Sequence, residues 1–273
     1  MSSDQDAVRL RYADPAKEEA RHSRSRADGM EFLMTRKLLE PFITPETDVV
    51  EFGCASGYYA GLWQERSRCY LGVDLTPENV EYFNSRGFAN ARAQVGDAAH
   101  CPEIPSGSFD VVLCLGPMYH LPPEGRARAM AEMIRICKPG GTLAFAYIPN
   151  AGVMLWAVAN RIRRKELPWR KRRHGGFYPN RKGNESIFSG VNDSNPCFLF
   201  TMPEEMEALA KQHGLRVVQN AGVDIKPNMD QINHMNEEQY ACWLELAEYL
   251  LQFPSVAGAA GHALMICAKE GAG

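Results

Sequence analysis

The sequence lacks the features that mark membrane-spanning, secreted and disordered proteins. No apolar run approaches the length that a helix needs to cross a bilayer. There is no internal repeat and no low-complexity linker, and the formal net charge of −3 gives no overall attraction to nucleic acid or to an anionic membrane. The first residues, MSSDQDAVRL, are polar and acidic, unlike a signal peptide. We therefore expect a cytoplasmic globular protein that does not bind membranes.

Cysteine is present but lacks the spacing of a disulfide frame or a zinc site. The eight cysteines are scattered, none forms a Cys-x-x-Cys pair, and several lie in apolar runs such as VVLCLG and ALMICA. This distribution favours buried, reduced thiols. Acidic residues are sparse where a catecholate-type metal site would need them, because the stretch LGPMYHLPPEGR offers only Glu124. We predict no metal.

Five short apolar runs alternate with helical segments between residues 47 and 147. The runs are continuous, as in strands that are buried on both faces of a parallel sheet. Amphipathic stretches between them imply right-handed βαβ units. The predicted fold class is therefore α/β, with a doubly wound, Rossmann-like sheet. The predicted strands are DVVEFG, CYLGVDL, ARAQVGD, FDVVLCLG and TLAFAYI.

Two regions interrupt this alternation. Residues 1–46 are predicted to form an N-terminal helical cap, in which MEFLMTRKLLEPF is the part with an apolar face. Residues 47–273 are predicted to form the main domain, with an irregular, lid-like insertion at about 148–200. Alternating helices and strands return after the insertion and end with the strand HALMICAKE. We expect one domain with a cap and an insertion.

Residues able to hold a nucleotide-like ligand follow four successive predicted strands. Gly53 and Gly57 lie in the turn after the first strand, where a ligand can approach the main chain. Asp74 ends the second strand, Asp97 follows the third, and the loop LGPMYHL follows the fourth. Each feature alone has a common structural role, such as a helix cap for the aspartates. Together they predict a ligand at one edge of the sheet. The loop GCASGY lacks Gly-x-Gly-x-x-Gly, which disfavours a dinucleotide.

These motifs, in this order, resemble those of class I S-adenosylmethionine-dependent methyltransferases. The matching stretches are VVEFGCASG, GVDLTP, VGDAAHCP, FDVVLCLG and KPGGTL. The resemblance extends to a bacterial subgroup with a helical N-terminus, an LGPxYHL loop and a C-terminal PSxxGxxxH segment, present here as PSVAGAAGH. It implies a seven-stranded sheet whose last strand runs antiparallel, and S-adenosylmethionine as the methyl donor.

The resemblance also implies which residues would hold the cofactor. Asp74 would bind the ribose, and Asp97 would lie at the adenine end. Ala55 stands where the family usually has the middle glycine of its first motif, from which we expect a tighter loop rather than lost binding. The other cofactor residues are Glu51, Gly53 and Gly57 around the methionine part, Leu75 and Ala98 beside the adenine ring, and Leu115 beneath the cofactor.

The loop after the fourth strand supplies the candidates for catalysis. A general base is needed only where the acceptor keeps its proton at working pH, as hydroxyl and ammonium groups do. His120 is the candidate base, and Tyr119 would orient the acceptor. Alternatively, Tyr119 packs on the cofactor and His120 caps the next helix. Further candidate substrate residues, each of which packing or surface charge would also explain, are Tyr12, Arg36 and Tyr58, with Tyr178, Asn184 and Phe188 in the insertion.

The covering elements favour an enclosed pocket and hence a small-molecule acceptor, a metabolite or a natural product. A different acceptor, RNA or protein, is the alternative, because residues 161–173 contain eight Arg or Lys in thirteen positions together with an aromatic. Such a run is more often a solvated surface, so nucleic acid is the less favoured partner. A third hypothesis is a cofactor-binding module without methyl transfer. The sequence gives no indication of the oligomeric state.

Overall fold

The computed structural model describes residues 3–155, 169–171, 177–179, 197–225 and 229–271. The N-terminal part is helical, as predicted, and its breaks follow from local sequence. Pro15 occupies the first turn of the second helix, and the Ser25 hydroxyl caps the third by accepting a hydrogen bond from the Asp28 backbone N–H at 3.1 Å. The segments are α1 (Ser3–Tyr12), α2 (Pro15–Arg21), α3 (Arg26–Leu39) and a 3₁₀ turn (Glu40–Phe42).

Seven strands form one sheet in the order β3-β2-β1-β4-β5-β9-β8. The first five strands pair in parallel, and β9 runs antiparallel to both of its neighbours. The predicted doubly wound fold with an antiparallel last strand is confirmed. The strands of this sheet are β1 (Asp48–Phe52), β2 (Cys69–Asp74), β3 (Ala91–Val95), β4 (Phe109–Cys114), β5 (Cys137–Tyr147), β8 (Leu215–Gly222) and β9 (Ala263–Lys269).

Helices cover both faces of the sheet and bury two apolar clusters. Successive β1 residues alternate between them, since Val49 belongs to one cluster and Val50 to the other. Among the described residues, no helix has the length and apolar character that a membrane crossing requires. The remaining helices are α4 (Tyr58–Trp63), α5 (Pro77–Ser85), α6 (Pro123–Ile136), α7 (Pro203–Gln212), α8 (Met229–His234), α9 (Glu237–Leu250) and α10 (Pro254–Ala257), with a 3₁₀ helix at Pro117–His120.

The two ends of the predicted insertion lie side by side. Pro149 and Thr201 form a parallel bridge, and the Thr201 N–H donates to the Ile148 carbonyl at 3.1 Å. Within the insertion, β6 (Trp169–Lys171) and β7 (Phe177–Pro179) pair antiparallel as a separate two-stranded sheet. Most of the basic run 161–173 lies outside the described residues. The boundaries 1–46 and 47–273 stay a prediction.

Cysteine burial largely follows the prediction from the apolar runs. All eight cysteines lie among the described residues, none of them forms a disulfide, and six of them are buried. Cys69 and Cys242 are the exposed pair. Cys69 begins β2 at the end of the sheet away from the strand-end acids, and Cys242 lies on α9.

Candidate active site

A cavity of about 390 Å³ opens at the carboxyl ends of β1, β2 and β4, beneath α1 and α2. Its size is typical of small-molecule sites. Most residues that the sequence suggested for cofactor, catalysis or substrate contribute to its wall. Those residues are Glu51, Gly53, Ala55, Asp74, Leu75, Asp97, Ala98 and Leu115, together with Tyr12, Tyr58, Tyr119 and His120.

The loop after β1 has three residues with positive φ, at positions 53, 55 and 57. Gly53 has φ 78°, and a Cβ there would lie 2.7 Å from Pro117 Cδ. Gly57 has φ 82°, and its Cβ would lie 2.6 Å from Phe83 Cδ2. Gly57 is not among the cavity-lining residues, and its predicted contact with the cofactor stays a prediction. Its glycine is explained by the close approach of α5.

Ala55 adopts φ 43°, a conformation that glycine accepts readily and alanine does not. Its backbone N–H donates to Asp74 Oδ2 at 2.9 Å, which ties the loop to the end of β2. The residue that departs from the family pattern therefore adopts a conformation that favours glycine.

Replacing Ala55 with glycine should make the protein more stable. The left-handed conformation costs alanine about 1–2 kcal/mol, while glycine gains about 0.4–1 kcal/mol of unfolded-chain entropy. We expect the free energy of unfolding to rise by about 0.5–1 kcal/mol, measured by urea denaturation. Ala60→Gly is the matched control, because Ala60 lies buried in α4 and should lose stability. Equal losses in both variants would contradict the proposed strain.

Asp74 is buried at the end of β2, and both of its carboxyl oxygens accept hydrogen bonds. Oδ2 accepts from Ala55 N–H, and Oδ1 accepts from Thr76 N–H at 2.8 Å and from Asn79 Nδ2 at 3.3 Å. Burial raises the pKa of this carboxyl, and the hydrogen bonds oppose the shift. Asn79 also lines the cavity, and its Oδ1 is buried without a hydrogen-bond partner among the described residues. A polar ligand at this point would satisfy that oxygen.

Glu51 lies at the end of β1, 2% exposed, with its carboxyl in the cavity wall. The Tyr70 hydroxyl donates to Oε2 at 2.7 Å. Burial raises the pKa of Glu51 to about 8, because that single hydrogen bond does not replace the lost hydration. The carboxyl is therefore largely protonated at neutral pH, and a cation placed beside it would ionise it.

Helix α1 lies over the opposite end of the cavity. Gln5 Nε2 donates to Asp97 Oδ2 at 2.8 Å, and Arg9 Nε donates to the Leu75 carbonyl at 3.1 Å. The other Asp97 oxygen accepts from Ala99 N–H at 2.8 Å. The amide of Gln5 thus donates to the same carboxylate that the sequence suggested for an adenine amino group. No sequence motif identified this contact, since it arises from the packing of the cap.

The loop after β4 places Tyr119 and His120 in the cavity wall. His120 Nδ1 lies 2.5 Å from the Cys197 carbonyl, which fixes the proton on Nδ1, because a carbonyl only accepts. His120 Nε2 lies 3.1 Å from the Tyr12 hydroxyl and accepts its hydrogen bond. Burial lowers the pKa of His120 to about 4 and raises that of Tyr12 to about 12. The pair is therefore neutral, with Nε2 as the basic atom.

Tyr119 is buried beside this pair, and its ring stacks on Phe198 with centroids 5.8 Å apart. Burial raises the pKa of its hydroxyl well above the usual value. Tyr119 therefore offers a neutral hydroxyl that can orient a ligand but not take up a proton. His120 does not cap α6, whose N-cap residue is Pro122. The capping alternative from the sequence is thus not observed.

The end of the cavity under α2 contains charged and aromatic residues that the sequence did not single out. Arg21 lies 3.4 Å from Glu31 and 3.5 Å from Glu18, and its guanidinium lies over the Phe32 ring at 4.9 Å. Glu18, Arg21 and Phe32 all line the cavity. Tyr58 lies against Phe32, with ring centroids 4.7 Å apart. The aromatic rings and the hydrogen-bonding groups together suit a small organic ligand.

Arg36, which the sequence suggested for the substrate, is not among the residues that line the cavity. Arg36 is exposed on α3 and pairs with Glu40 at 3.5 Å. The buried stripe of this helix runs through Met30, Met34 and Leu38, and helical geometry turns Arg36 away from it. The side chain of Tyr178 and the whole of Asn184 and Phe188 lie outside the described residues.

The described residues include one group of side chains that lie close enough to hold a metal ion: Glu31, Asp224 and His262. His262 Nδ1 lies 2.7 Å from Asp224 Oδ2 and 3.5 Å from Glu31 Oε2. Arg21 pairs with the other Glu31 oxygen. Hydrogen bonds and ion pairs thus account for the cluster, and the absence of a metal stays a prediction.

Residues 49–141 match the family model described as a methyltransferase domain. Among curated proteins, the malonyl-[acyl-carrier protein] O-methyltransferase of Serratia marcescens is 26% identical over 102 residues, 37% of this chain and 38% of that protein. A mouse (Mus musculus) protein named probable tRNA methyltransferase 9B is 29% identical over 133 residues, 46% of this chain and 27% of that protein. The chain thus spans well under half of the length of these relatives.

Solved structures share the fold over most of the chain. A methyltransferase in complex with the Haloferax volcanii Trm112 methyltransferase activator has a TM-score of 0.60 and 16% identity, covering 99% of both chains. An S-adenosylmethionine-dependent methyltransferase from Mesorhizobium loti has a TM-score of 0.56 and 15% identity, covering 89% of this chain and 99% of that one. At such identities the likeness concerns the fold.

Proposed function

We propose that this chain, which carries a class I S-adenosylmethionine-dependent methyltransferase domain, transfers a methyl group from S-adenosylmethionine to a small-molecule acceptor. The observation that supports this proposal best is the cavity that joins the strand-end acids to a covered aromatic compartment under α1 and α2. A covered compartment of this size supports a small organic acceptor, such as a metabolite or natural product.

The residues at the strand ends fit the cofactor. Asp74, with the unsatisfied Oδ1 of Asn79 beside it, would bind the ribose hydroxyls. Asp97 and Ala98 would hold the adenine end. There the adenine amino group would replace the Gln5 amide as a hydrogen-bond donor to Asp97. Glu51 would lie near the methionine ammonium. When bound, S-adenosylmethionine supplies an electrophilic methyl group on a sulfonium, which the acceptor attacks in line.

Binding of S-adenosylmethionine should release a proton from Glu51. The free protein holds this carboxyl protonated at pH 7, since its pKa is raised to about 8, and the ligand's ammonium favours the ionised form. We expect about 0.9 proton released per ligand at pH 7 and an affinity that rises with pH up to about 8. Calorimetry in buffers of different ionisation enthalpy measures the release.

The control for this proton release is Glu51→Gln, which has no proton to lose at this position. It should bind with an enthalpy that is independent of the buffer. Buffer-independent binding by the wild-type protein would contradict the role of Glu51, whatever the affinity.

His120 acts as the general base in the proposed reaction. Its Nε2 is unprotonated and already accepts a hydrogen bond from a hydroxyl, that of Tyr12. An acceptor O–H that takes the place of the Tyr12 hydroxyl donates to the same nitrogen. The acceptor's proton then passes to Nε2 as its oxygen attacks, and Nδ1 keeps its hydrogen bond to the Cys197 carbonyl. Tyr119 and Tyr58 position the acceptor from the cavity wall.

A screen with radiolabelled S-adenosylmethionine tests this function. The protein is incubated with a cell extract that is separated into small-molecule, RNA and protein fractions. Label in the small-molecule fraction is the expected result. Label confined to RNA or protein would overturn the acceptor class, and no transfer to any fraction would favour a module that binds the cofactor without catalysis.

A second candidate acceptor is RNA. It is favoured by the basic run 161–173 and by the likeness to a protein named as a tRNA methyltransferase. Replacing four arginines of this run with glutamine should then abolish RNA retention at low salt and flatten its salt dependence. Failure of the wild-type protein to retain RNA at low salt would dispose of this candidate.

A further inference from the structure

Arg126 is a buried cation whose observed hydrogen bonds go to backbone carbonyls. It lies on α6 and is 6% exposed. Its Nε donates to the Met118 carbonyl at 2.9 Å, and its Nη2 donates to the Leu199 carbonyl at 2.6 Å and the Phe200 carbonyl at 3.4 Å. Burying a guanidinium is unfavourable unless its donors are satisfied, so this placement requires both chain segments.

The two segments that Arg126 joins carry the groups around His120. Met118 precedes Tyr119 and His120 in the 3₁₀ helix. Leu199 lies two residues after Cys197, whose carbonyl accepts a hydrogen bond from the Nδ1–H of His120. The Leu199 N–H donates to the Tyr119 carbonyl at 2.8 Å. One guanidinium therefore bridges the loop after β4 and the segment after the insertion, in addition to this backbone hydrogen bond.

Aromatic packing joins the same two segments. Phe198 lies between Cys197 and Leu199 in the chain, and its ring is stacked on Tyr119 and tilted against His120, with a centroid distance of 5.0 Å to the imidazole. A shift of the Cys197–Phe200 segment would therefore move the hydrogen-bond acceptor of His120 and the ring beside it together. Both changes act on the imidazole, not on the strand-end acids.

We propose that Arg126 is a positioning residue for methyl transfer, which holds the Cys197 carbonyl against His120 and thereby keeps the imidazole proton on Nδ1 and Nε2 open to accept. This inference rests on the proposed function, in which Nε2 of His120 takes the acceptor's proton. Arg126 does not line the cavity. Its effect passes through Met118, Leu199 and the Cys197 carbonyl.

The tautomer of His120 tests the proposal directly. Long-range ¹H–¹⁵N spectra of ¹⁵N-histidine-labelled protein distinguish a proton on Nδ1 from one on Nε2, and the signals of His120 are assigned by their loss in His120→Gln. The wild-type protein should show the Nδ1–H form. Arg126→Met, which keeps an unbranched apolar stem without the donors, should show a mixture of both tautomers. Arg126→Met with an unchanged Nδ1–H form would overturn the proposal.

Arg135→Met is the matched control. Arg135 lies on the same helix and also donates to two loop carbonyls, those of Ile104 at 2.8 Å and Cys101 at 3.1 Å, at the other end of α6. Its loss should lower stability while leaving the His120 signals as in the wild-type protein. A tautomer mixture in this variant as well would mean that general loosening, not Arg126, controls the imidazole, and would overturn the proposal.

Arg126→Lys keeps the charge but has a single nitrogen in place of the guanidinium fork. It should fold even if Arg126→Met does not, and should show a smaller share of the second tautomer and partial recovery of turnover. Full wild-type spectra and rates in Arg126→Lys would contradict the need for the fork.

Kinetics separates this inference from the proposed function. At saturating cofactor, kcat should fall at least tenfold in Arg126→Met, while the Kd for S-adenosylmethionine stays within error of wild type. If His120→Gln retains full activity, the proposed base is wrong, whereas the tautomer measurement still decides whether Arg126 positions His120.

Discussion

Replacing Asp74 with alanine should lower the affinity for S-adenosylmethionine by about 100-fold or more. A hydrogen bond to a charged group contributes about 1.5–3 kcal/mol, so the loss of two bonds to ribose hydroxyls costs about 3–6 kcal/mol, and every 1.4 kcal/mol or so is tenfold in affinity. The Ala55 N–H and the Thr76 N–H also lose their acceptors in this variant, which loosens the loop around the cofactor. Isothermal titration calorimetry measures the change.

Asp110→Ala provides the matched control for this loss. Asp110 also accepts a backbone hydrogen bond, from Asp48 N–H at 2.8 Å, and it pairs with Lys138 at 2.8 Å. It does not line the cavity. Its removal should change stability and leave cofactor affinity as in the wild-type protein. Unchanged affinity in Asp74→Ala would remove Asp74 from the cofactor site and with it the assignment of the strand-end acids.

The strand-end acids were predictable because the signals that identify them are local. A short strand-forming run followed by Asp or Gly marks the end of a parallel strand, and parallel strands bring those ends to one edge. Asp74 and Asp97 therefore lie on one cavity, as expected. The run before Asp74 is buried as predicted, whereas β3 before Asp97 is a partly exposed edge strand, contrary to the predicted burial on both faces. For Gly57 the sequence leaves two explanations open, because a glycine can make room for a ligand or for a neighbouring ring. The proximity of Phe83 is invisible until the helices are packed.

The covered end of the cavity was less predictable because it depends on how the cap packs. The sequence of helix α2, PAKEEAR, has no apolar stripe that would orient the helix, and none of its residues is buried. Glu18 and Arg21 reach the cavity only because α2 lies across it. Arg36, which the sequence suggested for the substrate, lies on the exposed side of α3. Helical periodicity already places it on a different face from the buried stripe at Met30, Met34 and Leu38.

Replacing His120 with glutamine should lower kcat by about 10²–10⁴-fold, the usual range for loss of a general base, and leave the Kd for S-adenosylmethionine unchanged. Glutamine keeps the size and hydrogen-bonding character of the side chain but cannot take up a proton. The separation of effects follows from the site, because His120 lies on the loop after β4, whereas the acids proposed to hold the cofactor lie at the ends of β1 and β2 and after β3. Single-turnover rates at saturating cofactor, with an acceptor found in the radiolabel screen, measure the loss.

The pH dependence of the wild-type reaction distinguishes a base from a packing residue at this position. Burial lowers the pKa of His120 to about 4, so Nε2 carries no proton above about pH 5 and becomes protonated only in more acidic solution. At saturating cofactor, kcat should be level from pH 6 to 8 and fall at acid pH, and this acid limb should vanish in His120→Gln. Saturation matters because Glu51, whose pKa is about 8, affects cofactor affinity within the same range.

Tyr12→Phe is the control, since it keeps the imidazole and should retain the acid limb with a much smaller loss of kcat. A level profile of equal kcat in all three proteins would exclude His120 as the base.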